Sequence, residues 1–182
     1  MPVTRSVSRK RRGQKPDQKG QSLVEFALVL TPLFFILLGI IQFGFIFNTY
    51  VTMTNATRDA ARLGTIYLYD SAYSKDQNDL FRNEAIKDAV KTSMNMLTKT
   101  APNFSTGGTW TQSGTTFTNG DIVITYAVPA SGVLETDSRV GQELTVRATY
   151  HQDLIIPLVS AFLPKDAGGR MTLVGEVTMV IN

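Results

Sequence analysis

The sequence predicts an α+β fold: a long N-terminal transmembrane helix extends into an outer domain with a second helix and an antiparallel β-sheet. An almost unbroken apolar run extends from Leu23 to Phe47, and a bilayer core of about 30 Å needs roughly 20 such residues in a helix. Helical periodicity continues to about residue 100. Beyond residue 101, short segments alternate apolar and polar side chains, as half-buried strands do. Helices followed by strands are typical of α+β proteins.

The apolar run has the composition of a single-pass membrane helix. It has no polar stripe of the kind that a surface helix of a soluble protein carries. A secretory signal peptide is the competing interpretation, but its apolar core is roughly 7–15 residues and precedes an A-x-A-like site, which is missing here. The polar or helix-breaking residues in the run are Glu25, Thr31, Pro32, Gly39, Gln42 and Gly44. Pro32 predicts a kink.

Charge predicts the orientation in the membrane. The formal net charge is +3, but residues 1–20 hold seven basic residues and one acid, Asp17, so the rest of the chain is mildly acidic. Basic residues before the helix place the N-terminus in the cytoplasm and the C-terminal domain outside. The acidic remainder argues against a nucleic-acid-binding domain.

Four segments follow from these patterns. We expect a basic cytoplasmic leader at 1–20, a transmembrane helix at 21–47, extracytoplasmic helices at 48–100 and an antiparallel β-sheet region at 101–182. The first helix should run from about Ser22 to Leu68, and the second from about Gln77 to Leu97. The predicted apolar stripe of the first helix beyond the membrane is Tyr50, Met53, Ala56, Ala60, Leu63 and Tyr67. That of the second is Leu80, Ala85, Ile86, Ala89, Val90, Met94 and Leu97.

The strands are marked by alternation and turn residues. Asn119-Gly120 is a hairpin signal that leads into a predicted strand at 121–128, which a shorter strand at 110–117 is expected to join. Residues 143–151 and 171–181 alternate cleanly. Leu154–Leu163 is apolar but too short to span a bilayer. It predicts an apolar connection with about one helical turn, packed against the helices or the membrane surface.

The residue types argue against catalysis. The chain has no cysteine and one histidine, which excludes disulfides, thiol nucleophiles and multi-histidine metal sites. That histidine, His151, falls on the polar face of its strand, where solvent exposure is expected. Walker A, G-x-G-x-x-G and G-x-S-x-G motifs are missing from the sequence. We therefore expect a protein that is not an enzyme and needs no cofactor or metal.

A short motif spans the start of the apolar run. Gly20 ends the basic leader, Gln21 follows it, and Glu25-Phe26 begins five residues after the glycine. An ionised carboxylate at an apolar boundary is costly and usually has a partner, although Glu25 could also lie at the cytoplasmic interface and reach water. The motif resembles the class III signal of type IV pilins, which a prepilin peptidase cuts after the glycine. With Ala60-Ala61-Arg62-Leu63-Gly64 downstream, residues 20–65 resemble the TadE-like family.

The resemblance implies a pilin-like fold and a role as minor pilin or pseudopilin of a Tad (Flp) type IV pilus, a system linked to secretion and cell adhesion. It implies processing between Gly20 and Gln21 and an assembly role for Glu25 and Phe26. The implied partners are other pilins, Tad assembly proteins, the prepilin peptidase and the bacterial inner membrane, with incorporation into a surface pilus left open. An uncleaved, membrane-anchored assembly or scaffold factor of the same machinery is the alternative.

Overall fold

The computed structural model describes residues 17–66, 69–94, 107–132 and 139–182. Its helices are α1 (Asp17–Thr65), α2 (Lys75–Ser93) and α3 (Pro157–Ser160), and Ala130–Gly132 forms a 3-10 turn. The strands are β1 (Thr111–Ser113), β2 (Thr116–Asn119), β3 (Ile122–Tyr126), β4 (Glu143–Gln152) and β5 (Met171–Val180). The chain forms two compact units, one up to Gly39 and one from Ile40 to Asn182. The predicted α+β class, with a long apolar helix, a second helix and an antiparallel sheet, is confirmed.

The first helix extends further toward the N-terminus than expected, beginning at Asp17 rather than Ser22, and it ends at Thr65. Residues 67–68, where it was expected to end, lie outside the described residues, as does most of the predicted leader. The helix continues past Pro32, which has no N–H to donate, and Thr31 Oγ1 donates to the Ala27 carbonyl oxygen at 2.8 Å. A threonine hydroxyl can bond one turn back in this way without ending a helix.

The buried face of α1 in the second unit differs from the predicted stripe. Met53, Ala56 and Ala60 are buried as expected, whereas Tyr50 and Leu63 are largely exposed. Tyr67 lies outside the described residues. The face is completed instead by small residues that the apolar periodicity did not include: Thr49, Thr57, Ala61, Gly64 and Thr65. Short side chains bring the helix backbone close to its neighbours, and polar threonines can join such a face when their hydroxyls bond to the helix itself.

Helix α2 begins with a capping box. Ser74 accepts a hydrogen bond from the backbone N–H of Gln77, and the Gln77 side chain accepts one from the Ser74 N–H. This reciprocal pair satisfies two helix-end donors and sets the start two residues earlier than predicted. The predicted end near Leu97 falls outside the described residues. The helix itself ends at Ser93.

The sheet is a meander in the order β1-β2-β3-β4-β5, with every neighbouring pair antiparallel. The run predicted as one strand at 110–117 is two, because Gly114 with positive φ starts a tight turn between β1 and β2. At the predicted Asn119-Gly120 hairpin, Asn119 pairs with Ile122, so the loop residues are Gly120 and Asp121. Gly120 has φ +57°, a conformation that glycine adopts without steric cost.

One face of the sheet packs on the helices. The inward residues of β4 alternate as predicted, and all four are fully buried: Leu144, Val146, Ala148 and Tyr150. Leu173 in β5 and Ile181, directly after the end of β5, are buried. Three further residues of β5 pack partly buried against the same core: Met171, Val177 and Met179. Two glycines mark the closest approaches. A Cβ at Gly64 would lie 2.6 Å from Ile86 Cδ1, and one at Gly175 would lie 2.8 Å from Thr57 Oγ1.

A buried polar network replaces apolar packing at the start of α2. Leu80, expected in the core, is 39% exposed, while Asp79 and Arg82 are buried. Arg139 binds Asp79 in bidentate fashion, with Nε to Oδ1 at 2.8 Å and Nη2 to Oδ2 at 2.6 Å. Its guanidinium also stacks 4.2 Å from the Tyr126 ring centroid. Burial raises the pKa of the Tyr126 hydroxyl above its ordinary range.

Gly64→Ala is expected to destabilise the second unit by about 1–3 kcal/mol, because the added methyl group overlaps Ile86 and Leu144 in a filled core. Thermal unfolding of the full chain in detergent, followed by Trp110 fluorescence, measures it. Gly44→Ala is the matched control in the same helix, since nothing lies within 4 Å of its Cβ position. Adding Ile86→Val to Gly64→Ala should recover part of the loss. Equal effects at Gly64 and Gly44 would contradict the close packing.

Asp79→Asn is expected to destabilise the protein by roughly 3–5 kcal/mol, because it leaves the buried Arg139 guanidinium without its carboxylate. Glu176→Gln is the control. Glu176 and Arg147 form an exposed pair at 3.9 Å, and such pairs contribute at most about 1 kcal/mol. Denaturant unfolding of the two variants compares them directly. A small loss in Asp79→Asn would show that the network is dispensable for stability.

Candidate functional site

The residues of the predicted motif lie together in the first turns of α1. Gly20, Gln21, Glu25 and Phe26 are all exposed. Gln21 Nε2 donates to Glu25 Oε1 at 3.0 Å, a contact between residues one helical turn apart. The carboxylate of Glu25 therefore has a neutral amide beside it and remains open to a further partner. The sites proposed for processing and for assembly are thus adjacent on one exposed helix end.

The helix surface that follows is apolar on every side. Within the first unit, the side chains after Gly20 are exposed except for Leu30 and Leu38, which are partly covered. Phe26 is 62% exposed and Leu28 72% exposed. Over Gly20–Thr65, α1 is the one helix in the described residues that is long and apolar enough to cross a membrane. Because a surface of this kind is unfavourable in water, α1 could serve as a membrane anchor.

Two polar residues of α1, Gln42 and Thr49, hold the end of β4, and the sequence did not reveal this role. Gln42 Oε1 accepts hydrogen bonds from the backbone N–H groups of Ile155 at 3.0 Å and Ile156 at 3.2 Å. Thr49 Oγ1 donates to Gln152 Oε1 at 2.6 Å. We call these five residues the α1–β4 junction. Gln42, Thr49 and Gln152 are buried. The sequence feature that could have indicated this contact is Gln42, a polar residue inside an apolar run.

The connection after β4 matches its prediction in part. It contains one helical turn, α3, and its start is bonded to α1 through Gln42. Two of its side chains are largely exposed, Ile155 at 61% and Phe162 at 86%. Packing against the first helix is therefore confirmed for the start of this segment, and Leu154 and Leu163 also pack against the core, while Ile155 and Phe162 remain exposed.

A turn at Asp166 closes the same connection. The Asp166 carboxylate accepts hydrogen bonds from the backbone N–H groups of Arg170 and Gly168 and lies 2.7 Å from His151 Nδ1. These bonds lower the pKa of Asp166 below its ordinary value, and the bond from the Arg170 N–H contributes most to that shift. His151 lies on the polar face of β4, as predicted, but it is half-buried between Asp166 and Asp121 rather than fully exposed.

The residues that the structure describes contain no group of three or more His, Cys, Asp or Glu side chains that could hold a metal ion. Asp166 also accepts hydrogen bonds from the backbone of its own turn, at Gly168 and Arg170. It thereby fixes the turn that leads into β5.

Comparison with known proteins bears on α1. Residues 20–62 match the family model described as TadE-like protein. No curated protein and no solved structure matches the chain. The matched segment contains Gly20, Gln21, Glu25 and Phe26 and covers less than half of the chain. The resemblance drawn from these residues is thereby confirmed: residues 20–62 are similar to the TadE-like family.

Proposed function

We propose that the protein is a minor pilin or pseudopilin that takes part in the assembly of a Tad-type (Flp) pilus. One observation carries the proposal: a glycine followed five residues later by a glutamate stands at the start of the apolar, exposed run of α1. The TadE-like match over the same residues supports it. The second unit, in which the rest of α1 packs on an antiparallel sheet, supports a pilin-like layout.

The role of Glu25 follows from charge. A prepilin peptidase cutting after Gly20 would remove the basic leader and create an α-ammonium group on Gln21. In a packed bundle of apolar helices, the Glu25 carboxylate of one subunit would pair with that ammonium on a neighbour. Such a buried pair fixes register more than it adds stability, and losing one partner costs roughly 3–5 kcal/mol. Phe26, 62% exposed beside it, would supply apolar contact in the same interface.

The proposed topology follows the charge distribution. Residues 1–20 would lie in the cytoplasm as the leader, residues 21–47 would cross the bacterial inner membrane once, and the domain that follows, with its helices and then its sheet, would lie outside. The basic residues before the apolar run support this orientation. The partners are other pilins and pseudopilins, Tad assembly proteins, the prepilin peptidase and the membrane, with no nucleic acid. We propose a structural role without catalysis or a cofactor.

An uncleaved assembly or scaffold factor of the same machinery is the second candidate. It is favoured by the contact of Glu25 with Gln21 inside its own helix, which gives the carboxylate a polar neighbour without any second subunit. In that case α1 is an anchor alone, and the second unit binds other parts of the machine. The two candidates differ in whether the chain leaves the membrane.

Glu25→Ala is expected to remove the protein from sheared surface filaments while leaving its amount in the membrane unchanged. The reason is that α1 keeps its apolar length but loses the carboxylate that sets register. Immunodetection in the filament and membrane fractions measures the ratio. Glu143→Ala, which removes an exposed carboxylate on β4, is the matched control and should leave the ratio as in wild type. Filament recovery of Glu25→Ala at the wild-type level would refute the assembly role.

A further inference from the structure

We propose that the connection at residues 154–163 inserts into the outer leaflet of the membrane, where lipid acyl chains cover its exposed side chains. The inference rests on the proposed anchoring of α1 in the bilayer. It assigns a second membrane contact to the chain, made by the sheet-bearing unit rather than by the helix itself. The occupant is the hydrocarbon of the lipid, and the partner is therefore a lipid surface.

The composition of the connection fits hydrocarbon. Residues 154–163 contain no charged side chain, and Ser160 is their one polar residue. Phe162 is 86% exposed and Ile155 is 61% exposed, although burial of such side chains is a main source of folding stability. Charged, exposed residues stand on either side, Asp153 before and Lys165 after the segment. Their positions suit the polar boundary of a leaflet.

The contact with α1 sets the depth. Gln42, which bonds Ile155 and Ile156, lies five residues before Phe47, the last residue of the apolar run. At 1.5 Å per residue, this corresponds to about 7 Å along the helix. The residues of α1 near Gln42 are themselves exposed and apolar, including Phe43 at 59% and Phe45 at 48% exposure. The connection thus continues an apolar surface that a membrane would already cover.

Most of the backbone N–H groups of the connection have a partner within the protein. In hydrocarbon, each backbone N–H must find a partner in the protein. Those of Ile155 and Ile156 bond to Gln42, and position 157 is a proline, which has none. The N–H groups of Ser160, Ala161, Phe162 and Leu163 bond to carbonyls within the segment. This pairing reduces the number of N–H donors that lipid would leave unsatisfied.

Single-cysteine labelling tests the inference in the full chain, which has no cysteine of its own. Phe162→Cys is labelled with the fluorophore NBD and reconstituted into phosphatidylcholine–phosphatidylglycerol vesicles that contain acyl-chain doxyl quenchers. Phe45→Cys, in the apolar run of α1, is the positive control. Val140→Cys is the negative control: Val140 is 56% exposed and lies beyond the far end of β4, a ten-residue strand about 33 Å long.

We expect NBD at position 162 to be quenched to a similar extent as at position 45 and several-fold more than at position 140. Quenching at 45 but not at 162 would overturn the inference and leave the anchor intact. Loss of quenching at both positions would refute the anchor and, with it, the inference. A blue-shifted emission at 162 that lipid quenchers do not reach, and that is lost on dilution with lipid, would assign the surface to a second copy of the chain instead.

Discussion

The close packing of α1 on the sheet is the constraint on which the second unit depends. Gly64 and Gly175 leave no room for a methyl group, and buried small residues such as Ala60 and Ala61 share the same helix face. A chain without cysteine has no disulfide to hold helix and sheet together. Its stability must come from this contact surface and from the hydrogen bonds around it. The buried pair of Asp79 and Arg139 adds a fixed point between α2 and the residues before β4.

The same helix serves a different purpose in its first half. Up to Phe47 its surface is almost wholly apolar, and after Phe47 one narrow face is buried while Arg58 and Arg62 point to solvent. The few polar residues of the apolar half have specific positions. Glu25 stands exposed near the start, and Gln42 is buried against the backbone that follows β4. A polar residue in such a run is costly unless it has a partner. Gln42 has its partner inside the protein. Glu25, in our proposal, has its partner on a neighbouring subunit.

The sequence was sufficient for the fold class because its periodicities are long and change sharply near residue 101. Alternation identified the buried side of β4 correctly, from Leu144 to Tyr150. The same reasoning failed for the first turns of α2, where Asp79 and Arg82 are buried, because a buried polar face has the pattern of a solvated one. The partner of Asp79 is Arg139, which lies 60 residues further along the chain. Local periodicity in the sequence cannot reveal a contact at that separation. The role of Gln42 was missed for the same reason, since its partners lie more than 100 residues along the chain.

The central claim, that this helix enters a filament after processing, is tested most directly by the N-terminal residue and mass of the protein. Both are determined on sheared surface filaments and on membranes from the same cells. We expect a chain that begins at Gln21 in the filament fraction. A full-length chain found in membranes alone would contradict it. The protein would then be an anchored assembly factor, with Glu25 a residue of the membrane boundary.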